Sequence, residues 1–354
     1  MKHTHITSLI GALALLLPGA AALTSCRQEL CYDHFRQSTV SLDFEQEWER
    51  DYGASHASSW DENAMDGTYD DHRPGVPETV TMMVYPTNGA QPYNIFLEAA
   101  GGVAPLGAGP YDFLLYNNDT EYIVINDIAS LPDAAATTSN RSRASLVPLH
   151  RGERTVSPPD VIYGAYHEAI PDVGVHGDHQ LTTTLRPLVY TYVIRYEIET
   201  GGEYVELARG ALAGMAEKVY LRSGATGPEA ATVLFDCYSH TDGAILAKVA
   251  TFGVPSFPGD HYGRDGEETD SDNKYTLNLE VRLTDGTMQD FTFDVTDQLQ
   301  SQPRGGVIRV GGIQVTPPEN PDGDPVDSGF NPSVADWGEW TDVILPTQGV
   351  EIPR

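Results

Sequence analysis

The chain has 354 residues, of which 51 are Asp or Glu and 21 are Lys or Arg, giving a formal net charge of −30 at pH 7. Nucleic-acid binding needs clustered Lys and Arg, so this charge argues against a nucleic-acid partner and against electrostatic docking on anionic lipid. The length suffices for two domains of ordinary size or for one large β domain.

The first segment of the chain is typical of an exported lipoprotein. A short polar start containing Lys2 precedes an apolar run over residues 10–23. The run ends in a lipobox made of Leu23, Thr24, Ser25 and Cys26. We therefore predict that residues 1–25 are a signal peptide that is removed, and that Cys26 becomes the lipidated first residue. The alternatives are an ordinary signal peptide cut nearby or a single-pass helix, for which the run is short.

Two cysteines remain once Cys26 carries lipid. Cys31 lies just beyond the anchor, and Cys237 lies in an apolar, strand-like run. An exported protein can form a disulfide, so a Cys31–Cys237 bond would tie the tether to the folded body. The alternative is two unpaired cysteines, one of them buried, because sequence does not supply the geometry that a disulfide needs.

The first half of the mature chain shows several short strand patterns. Residues 38–44 alternate, with Val40, Leu42 and Phe44 on one face. A Pro-Thr-Asn-Gly turn lies between residues 80–85 and 93–97, and an Asn-Asn-Asp-Thr turn lies between residues 111–116 and 122–125. Each pair of segments therefore predicts a hairpin. The stretch 131–154 is rich in Ala, Ser, Thr and Arg, and we expect the transition between domains within 140–180.

The second half contains the longest alternating segments. Residues 190–198 place Tyr and Ile on one face, and 275–283 alternate in the same way before Asp285-Gly286, a strong hairpin signal, and a return strand over 291–295. We expect further strands at 306–315 and 342–345 and a short helix within 203–213. Strict alternation means one buried and one solvated face, so the sequence predicts an all-β protein of antiparallel sandwiches with few short helices.

No catalytic signature is present: the sequence has no nucleophile elbow, Walker loop, HExxH helix or paired CxxC, and we expect a protein that is not an enzyme. Two acidic loops are candidate calcium sites, because calcium prefers six to eight oxygen ligands. Their acidic residues are Asp265, Glu267, Asp270 and Asp272 in the first loop and Asp322, Asp324 and Asp327 in the second. Neither loop has the EF-hand register, and solvated acidic loops are the favoured alternative, so we expect no cofactor unless these loops bind calcium.

Histidines and aromatic residues offer two further candidate sites. His176, Asp178 and His179, with His167 nearby, would suit zinc or copper, although exposed histidines are common in polar, Gly-rich loops. Exposed aromatic residues would suit a glycan, but packing in the core or across strands is the alternative for them. The tryptophans are Trp48, Trp60, Trp337 and Trp340.

Several segments, taken in order, resemble one known family. They are residues 27–34 (RQELCYDH), 111–121 (YDFLLYNNDTE), 283–286 (LTDG), 293–297 (FDVTD) and 329–337 (GFNPSVADW). In these segments the chain is similar to the fimbrillin-related lipoproteins of Bacteroidetes, an uncharacterised-domain family linked to fimbrillin-A-associated anchor proteins. The resemblance covers most of the mature chain and has no catalytic residue to transfer.

The resemblance implies two β-sandwich domains of the transthyretin-like, fimbrillin type. We place a lipidated tether at residues 26–37, an N-terminal domain at 38–158 and a C-terminal domain at 159–354. The resemblance also implies a role in type V pili, whose subunits join by strand exchange and whose anchor subunit carries the lipid. Only residues 27–37 separate Cys26 from the first strand, which fits a permanently anchored protein. The candidate cleavage sites are Arg141, Arg143 and Arg154, so a proteolytically processed subunit is the alternative.

The resulting hypothesis is a non-catalytic lipoprotein of the outer membrane that acts as a fimbrial anchor or accessory subunit. Its partners would be other fimbrillin-like subunits, with the membrane reached through lipid on Cys26, and a sheet edge at residues 38–44 or 337–345 would form the joint. The sequence leaves open whether the protein faces the periplasm or the cell surface. The alternative is a surface lipoprotein that binds a glycan or a host ligand on the same scaffold.

Overall fold

The structure of the protein is a computed structural model that describes residues 37–65, 67–106, 110–142, 154–170, 179–241, 243–259, 273–318 and 341–343. Two short α-helices, Glu62–Met65 and Thr296–Ser301, and two 3₁₀ helices, Tyr69–His72 and Gly202–Tyr204, accompany the strands. The strands of the first half are β1 (Gln37–Phe44), β2 (Thr79–Pro86), β3 (Tyr93–Glu98), β4 (Gly101–Pro105), β5 (Tyr111–Asn117), β6 (Ile123–Asn126), β7 (Ala135–Thr138), β8 (Asn140–Ser142), β9 (Thr155–Val156) and β10 (Tyr163–Ile170). Those of the second half are β11 (His179–Pro187), β12 (Tyr190–Thr200), β13 (Val205–Ala216), β14 (Lys218–Tyr220), β15 (Ala230–Thr241), β16 (Ala244–Thr251), β17 (Thr276–Leu283), β18 (Met288–Asp294), β19 (Gly306–Gln314) and β20 (Thr341–Val343).

Seven strands close into a barrel in the order β1-β11-β10-β5-β2-β3-β4, and β4 returns to β1. The predicted alternation of β1 is confirmed, because Val40 and Leu42 are buried in the barrel core and Phe44 packs against it. Strand β1 runs parallel to β11 and antiparallel to β4. Both edges of β1 are therefore paired, and the expectation that residues 38–44 offer a free sheet edge is wrong.

The remaining long strands form a sheet that folds over itself into two packed layers. Its order is β18-β17-β13-β15-β16-β12-β19, and the pairing of β15 with β16 shifts register between Cys237 and Ser239. The inward faces of β12 and β17 supply the core, as their alternation predicts. The expectation that the other face of β17 is solvated is wrong, because Asn278, Glu280 and Arg282 on that face are buried as well. Tyr196 in β12 donates its hydroxyl to the carbonyl of Asn278 in β17, at 3.2 Å, across the two layers. The all-β prediction, with sandwich-like domains and few short helices, is confirmed.

The helix expected within residues 203–213 is wrong, because this segment forms β13 instead. The sequence is rich in Ala and Leu, which favour helix, but β13 pairs with β15 on one side and β17 on the other. Gly210 is needed at this crowded position, since an added Cβ would lie 2.3 Å from the Phe235 ring. Pairing and packing over the whole strand outweigh its local propensity.

The hydrogen-bonding topology differs from the predicted domain boundary at residue 158. Strands β10 and β11 pair within the barrel, so the chain passes from the barrel to the large sheet between Pro187 and Tyr190. The difference arises because β10 and β11 fill the gap between β5 and β1, which no local pattern reveals. A small sheet, β14-β7-β6, lies at the junction, where an apolar cluster joins Leu114 of the barrel to Phe252 beyond β16.

The connection between β1 and β2 leaves the barrel and packs on the large sheet. The amide of Thr191 donates to the carbonyl of Trp48 at 2.7 Å, and the amide of Arg50 donates to the carbonyl of Arg304 at 2.8 Å. Trp48 and Met65 bury their side chains against Val193, on the face of β12 that points away from the sandwich core. This segment therefore adds an outer layer over β12 and β19.

Candidate functional site

Most site residues predicted from the sequence lie outside the described residues. They are the lipobox residues Leu23, Thr24, Ser25 and Cys26, the tether cysteine Cys31, and the acidic-loop residues Asp265, Glu267, Asp270, Asp272, Asp322, Asp324 and Asp327. Lipidation and calcium binding therefore stay predictions. Across the described ranges, no group of three or more His, Cys, Asp or Glu side chains is arranged to hold a metal ion. No helix in those same ranges is long and apolar enough to cross a membrane.

Cys237 lies in β15 with a free thiol that packs against the sandwich core. Burial, reinforced by the neighbouring charge of Asp236, raises the pKa of the Cys237 thiol above its ordinary value. The thiol is thus protonated at neutral pH and unreactive. Its proposed partner Cys31 lies outside the described residues, so the disulfide stays a prediction.

His167 is the one member of the histidine cluster whose side chain is described. It lies in β10 of the barrel, where its Nε2 is 2.6 Å from Oγ1 of Thr183 in β11. Burial lowers the pKa of His167 below its ordinary value, so the ring is neutral at pH 7. This environment is that of a cross-strand hydrogen bond within a sheet; His176 and Asp178 lie outside the described residues.

Three short strands, β9, β8 and β20, extend the large sheet on one side. β9 pairs in parallel with β15, β8 pairs with β9, and β20 pairs antiparallel with β8. β20 matches Thr341 to Ser142, Asp342 to Arg141 and Val343 to Asn140. β20 thus joins two strands, β8 and β9, that come from much earlier in the sequence.

A pocket of about 390 Å³ opens where the β1–β2 connection meets β19. Trp60 and Met65 from the connection and Val307 from β19 form its apolar walls, while His56 and Arg309 supply polar groups. Trp60 is half-buried, and its Nε1 donates to the carbonyl of Gly67 at 2.8 Å. The edges of neighbouring rings fix the indole further, with His72 at 5.0 Å and Trp48 at 5.8 Å between ring centroids.

The outer edge of β19 beside this pocket is capped by two glutamines, Gln298 in the helix Thr296–Ser301 and Gln302 directly after it. Gln302 accepts from the amide of Val307 at 2.9 Å and donates to the carbonyl of the same residue at 2.8 Å. Gln298 does the same for Arg309, with both distances at 2.9 Å. Each side-chain amide takes the place of a peptide group of a neighbouring strand, so this part of the edge is closed.

Of the pocket residues, only Trp60 is singled out by the sequence patterns. Arg309 looks like an outward-facing residue of an alternating strand, and His56 lies in a polar loop with no motif. Residues 56–65 and 298–309 are brought together only because β19 pairs in parallel with β12 and the β1–β2 connection crosses that face. No local signal in either segment indicates this meeting. Trp48, by contrast, is buried, as the packing alternative predicts.

Comparisons with known proteins place the chain among fimbrial and adhesin relatives. Residues 70–236 match the family described as a domain of unknown function, DUF5119. A relative from Bacteroides ovatus, named "Putative fimbrium anchoring subunit Fim4B", is 24% identical over 289 residues, covering 77% of this chain and 85% of the relative. A crystal structure of a "putative adhesin" from Bacteroides ovatus has 20% sequence identity and a TM-score of 0.57, covering 83% of this chain and 97% of that one.

These comparisons confirm the resemblance that the five sequence segments indicate. The solved adhesin shares the fold, and the relative's name is that of a fimbrial subunit. Neither name is that of an enzyme, and the expectation of a non-catalytic protein is confirmed by these relatives.

Proposed function

We propose that this fimbrillin-related chain is a lipid-anchored anchor or accessory subunit of a type V pilus in the outer membrane, joined to a neighbouring subunit by β-strand addition. The name of the relative from Bacteroides ovatus supports the fimbrial role. The lipobox ending at Cys26 supports the anchor, and the short stretch before β1 keeps the folded body close to the membrane.

The observation that carries the strand-addition proposal is the pairing of β20 with β8. Among the described residues, three register pairs join them, and β20 is the outermost of the described strands in this extension. A strand at the outer edge of a sheet can be replaced or extended by a strand from a partner, which pairs through the same backbone groups. Strand addition gains backbone hydrogen bonds at an edge that already presents unpaired donors and acceptors.

The other edges are less suited to the joint. β1 is paired on both sides within the closed barrel, and glutamine side chains cap β19 at Val307 and Arg309. β18 is the remaining end of the large sheet, and it carries the charged Asp290 and Asp294. Charges on an edge strand disfavour pairing with another chain.

A reversible lock on β20 tests this proposal. Asn140 and Val343 are register partners, so the double variant Asn140→Cys/Val343→Cys forms a disulfide that holds β20 on β8. Thr79→Cys/Glu98→Cys, a register pair of exposed residues in the barrel, is the matched control. Each protein is expressed in its own cells, crosslinked in intact membranes, purified and analysed by mass spectrometry.

We expect the wild type and the barrel lock to recover another fimbrillin-like protein crosslinked near β8 or β20. The β20 lock should lose that partner and regain it after reduction, because the exchange needs a free β20. Equal recovery with the closed β20 lock would contradict strand exchange at this edge. Recovery of transport-type outer-membrane proteins alone would contradict the fimbrial role itself.

A second function, the binding of a glycan, is favoured by the pocket beside Trp60. It combines a fixed indole with apolar and polar neighbours, which is the usual composition of a small-molecule site. The two functions are compatible, since the pocket and the β8–β20 pair involve different strands.

A further inference from the structure

The pocket beside Trp60 has a preformed shape. Its volume of about 390 Å³ lies within the range of small-molecule sites, which is about 300–1,000 Å³. The Trp60 indole is held by its hydrogen bond to Gly67 and by its contacts with Trp48 and His72. The opposite wall is fixed by the Gln298 cap on Arg309. A ligand would therefore bind without ordering the walls, which lowers the entropic cost of binding.

Arg309 is distinctive among the arginines of the described ranges, because its guanidinium has no partner within those ranges. Each of the others contacts a carboxylate, a backbone carbonyl or an aromatic ring. They are Arg50, Arg73, Arg141, Arg154, Arg186, Arg195, Arg209, Arg222, Arg282 and Arg304. Acidic residues outnumber basic ones more than twofold in this chain, so an exposed arginine without a partner is unexpected.

The chemistry around Arg309 fits a carboxylate on the ligand. A guanidinium presents paired N–H donors that match the two oxygens of a carboxylate, and such charged pairs are stronger than neutral hydrogen bonds. Among the described residues that line the pocket, none is an Asp or Glu that would compete for the guanidinium. The backbone of Arg309 is fixed by Gln298, so the side chain alone is free to reach the ligand.

His56 supplies an acceptor on the same side of the pocket. Its Nε2 is 3.1 Å from Oε1 of Gln302, and that oxygen already accepts from the amide of Val307. Because Gln302 presents its oxygen here, the network assigns the proton to Nε2 of His56 and leaves Nδ1 as an acceptor. Oγ of Ser59, which donates to the carbonyl of Ser55, retains lone pairs for a second donor. These acceptors suit ligand hydroxyl groups.

We propose that this pocket binds a hexuronic acid residue of an acidic carbohydrate. The C–H face of the sugar ring packs on Trp60, the carboxylate pairs with Arg309, and ring hydroxyls donate to His56 and Ser59. The apolar side chains of Met65 and Val307 contact the ring's edge. The proposal names the ligand class for the glycan-binding function and does not depend on fimbrial assembly.

Calorimetric titration of the purified, non-lipidated chain tests the charge requirement. The probes are trigalacturonate and the neutral trisaccharide galactotriose, at 150 mM salt. We expect trigalacturonate to bind and galactotriose to bind at least tenfold more weakly. Arg309→Gln should weaken trigalacturonate binding at least tenfold. Lys274→Gln, which removes an exposed cation outside the pocket, should leave the affinity within twofold.

A second pair of variants tests the contact between the sugar ring and the Trp60 indole, with one conservative and one truncating substitution. Trp60→Phe keeps an aromatic ring among Trp48 and Tyr69 and should weaken binding severalfold, whereas Trp60→Ala should abolish it. Near-UV circular dichroism verifies that Trp60→Phe is folded. Equal affinity for the acidic and neutral trisaccharides, unchanged affinity of folded Arg309→Gln, or no binding by the wild type at 10 mM ligand would each overturn the proposal.

Discussion

Arg304 is a charged side chain completely enclosed just before β19, and no carboxylate of the described residues pairs with it. Its guanidinium instead donates to the carbonyls of Phe252 at 2.6 Å and Gly224 at 2.8 Å. It also lies over the rings of Phe257 and Tyr190, at 4.8 Å and 5.5 Å from their centroids. The residue thereby joins three loops that are distant in sequence, and the carbonyl and ring dipoles offset the cost of burying its charge.

Replacing this guanidinium by an apolar side chain of similar length should destabilise the fold. Arg304→Met leaves two buried carbonyls without donors, and each unsatisfied group costs about 1–3 kcal/mol, so we expect a loss of roughly 2–6 kcal/mol. The free energy of unfolding in urea measures it. Arg73→Met, at an exposed arginine, should stay within about 0.5 kcal/mol of the wild type. Equal stability of the two variants would contradict the role given to Arg304.

His72 is a second buried residue with unusual surroundings. It packs against Trp48 and Trp60, and neither of its ring nitrogens has a hydrogen-bond partner in the described part of the chain. Burial, together with the positive charge of Lys248, lowers the pKa of His72 from 6.5 to about 4. The ring is therefore neutral at pH 7, and its protonation opposes folding.

This depressed pKa predicts a specific loss of stability in mild acid. The unfolded chain binds a proton near pH 6.5 and the folded chain only near pH 4, so stability is retained above pH 6.5 and falls between these values. Between pH 7.5 and pH 5 we expect His72 to contribute a loss of about 2 kcal/mol. His72→Phe should remove that part of the loss in urea unfolding, while titrations elsewhere affect both proteins alike. Identical pH dependence of the two proteins would argue against a neutral, buried His72.

At the scale of elements, the outer edge of β19 shows how an exposed strand is closed without another strand. Gln298 and Gln302, four residues apart at the helix that precedes β19, each satisfy both backbone groups of one edge residue. The helix Thr296–Ser301 positions them, and its Leu299 is buried in the sandwich core. Core packing of the helix thus fixes the caps on the edge.

Removing one cap should both destabilise the sheet and open its edge. Gln302→Leu leaves the amide and carbonyl of Val307 unpaired, so we expect a loss of about 1–3 kcal/mol in urea unfolding. Because open edges pair with other chains, sedimentation should also show self-association. Gln300→Leu, at an exposed position of the same helix, is the control and should remain monomeric. A monomeric Gln302→Leu of unchanged stability would refute the capping role.

At the scale of the whole molecule, the barrel and the folded sheet are packed together rather than linked by a free tether. The junction cluster contains Met83 and Leu114 of the barrel and Val219 and Phe252 from beyond it. The β1–β2 connection adds a second contact, where Trp48 packs against Val193. Force applied at one end of such a molecule is transmitted through buried apolar contacts, which suits a subunit placed between a membrane and a fibre.

Membrane attachment through a single residue is the corresponding prediction for the whole protein. Cys26→Ala removes the proposed acylation site, and each buried CH₂ of an acyl chain contributes about 0.8 kcal/mol, so the variant should move from the membrane to the soluble fraction. Cell fractionation with immunoblotting measures this. Cys31→Ala keeps the lipobox and should stay with the membrane. Retention of Cys26→Ala in the membrane would contradict lipid anchoring.

The sequence by itself determined the strands whose pattern is local. The alternation of residues 190–198 and 275–283 indicated one buried face each, and the Asp285-Gly286 turn indicated the hairpin of β17 and β18. The order of five short segments also indicated the family resemblance. Hydrophobic periodicity and turn chemistry depend on residues close in the chain, so they can be read without a structure.

Only the tertiary structure decided which strands meet. The parallel pairing of β1 with β11 and of β12 with β19 closes the barrel and builds the pocket, and neither follows from a local pattern. The extended form of β13 is also decided by tertiary structure, because its sequence favours helix but its pairing with β15 and β17 holds it extended. The lack of a described partner for Arg309 is likewise visible only when its neighbours in space are known. The physical reason is that these features depend on contacts between residues far apart in the chain, whose energies exceed local preferences.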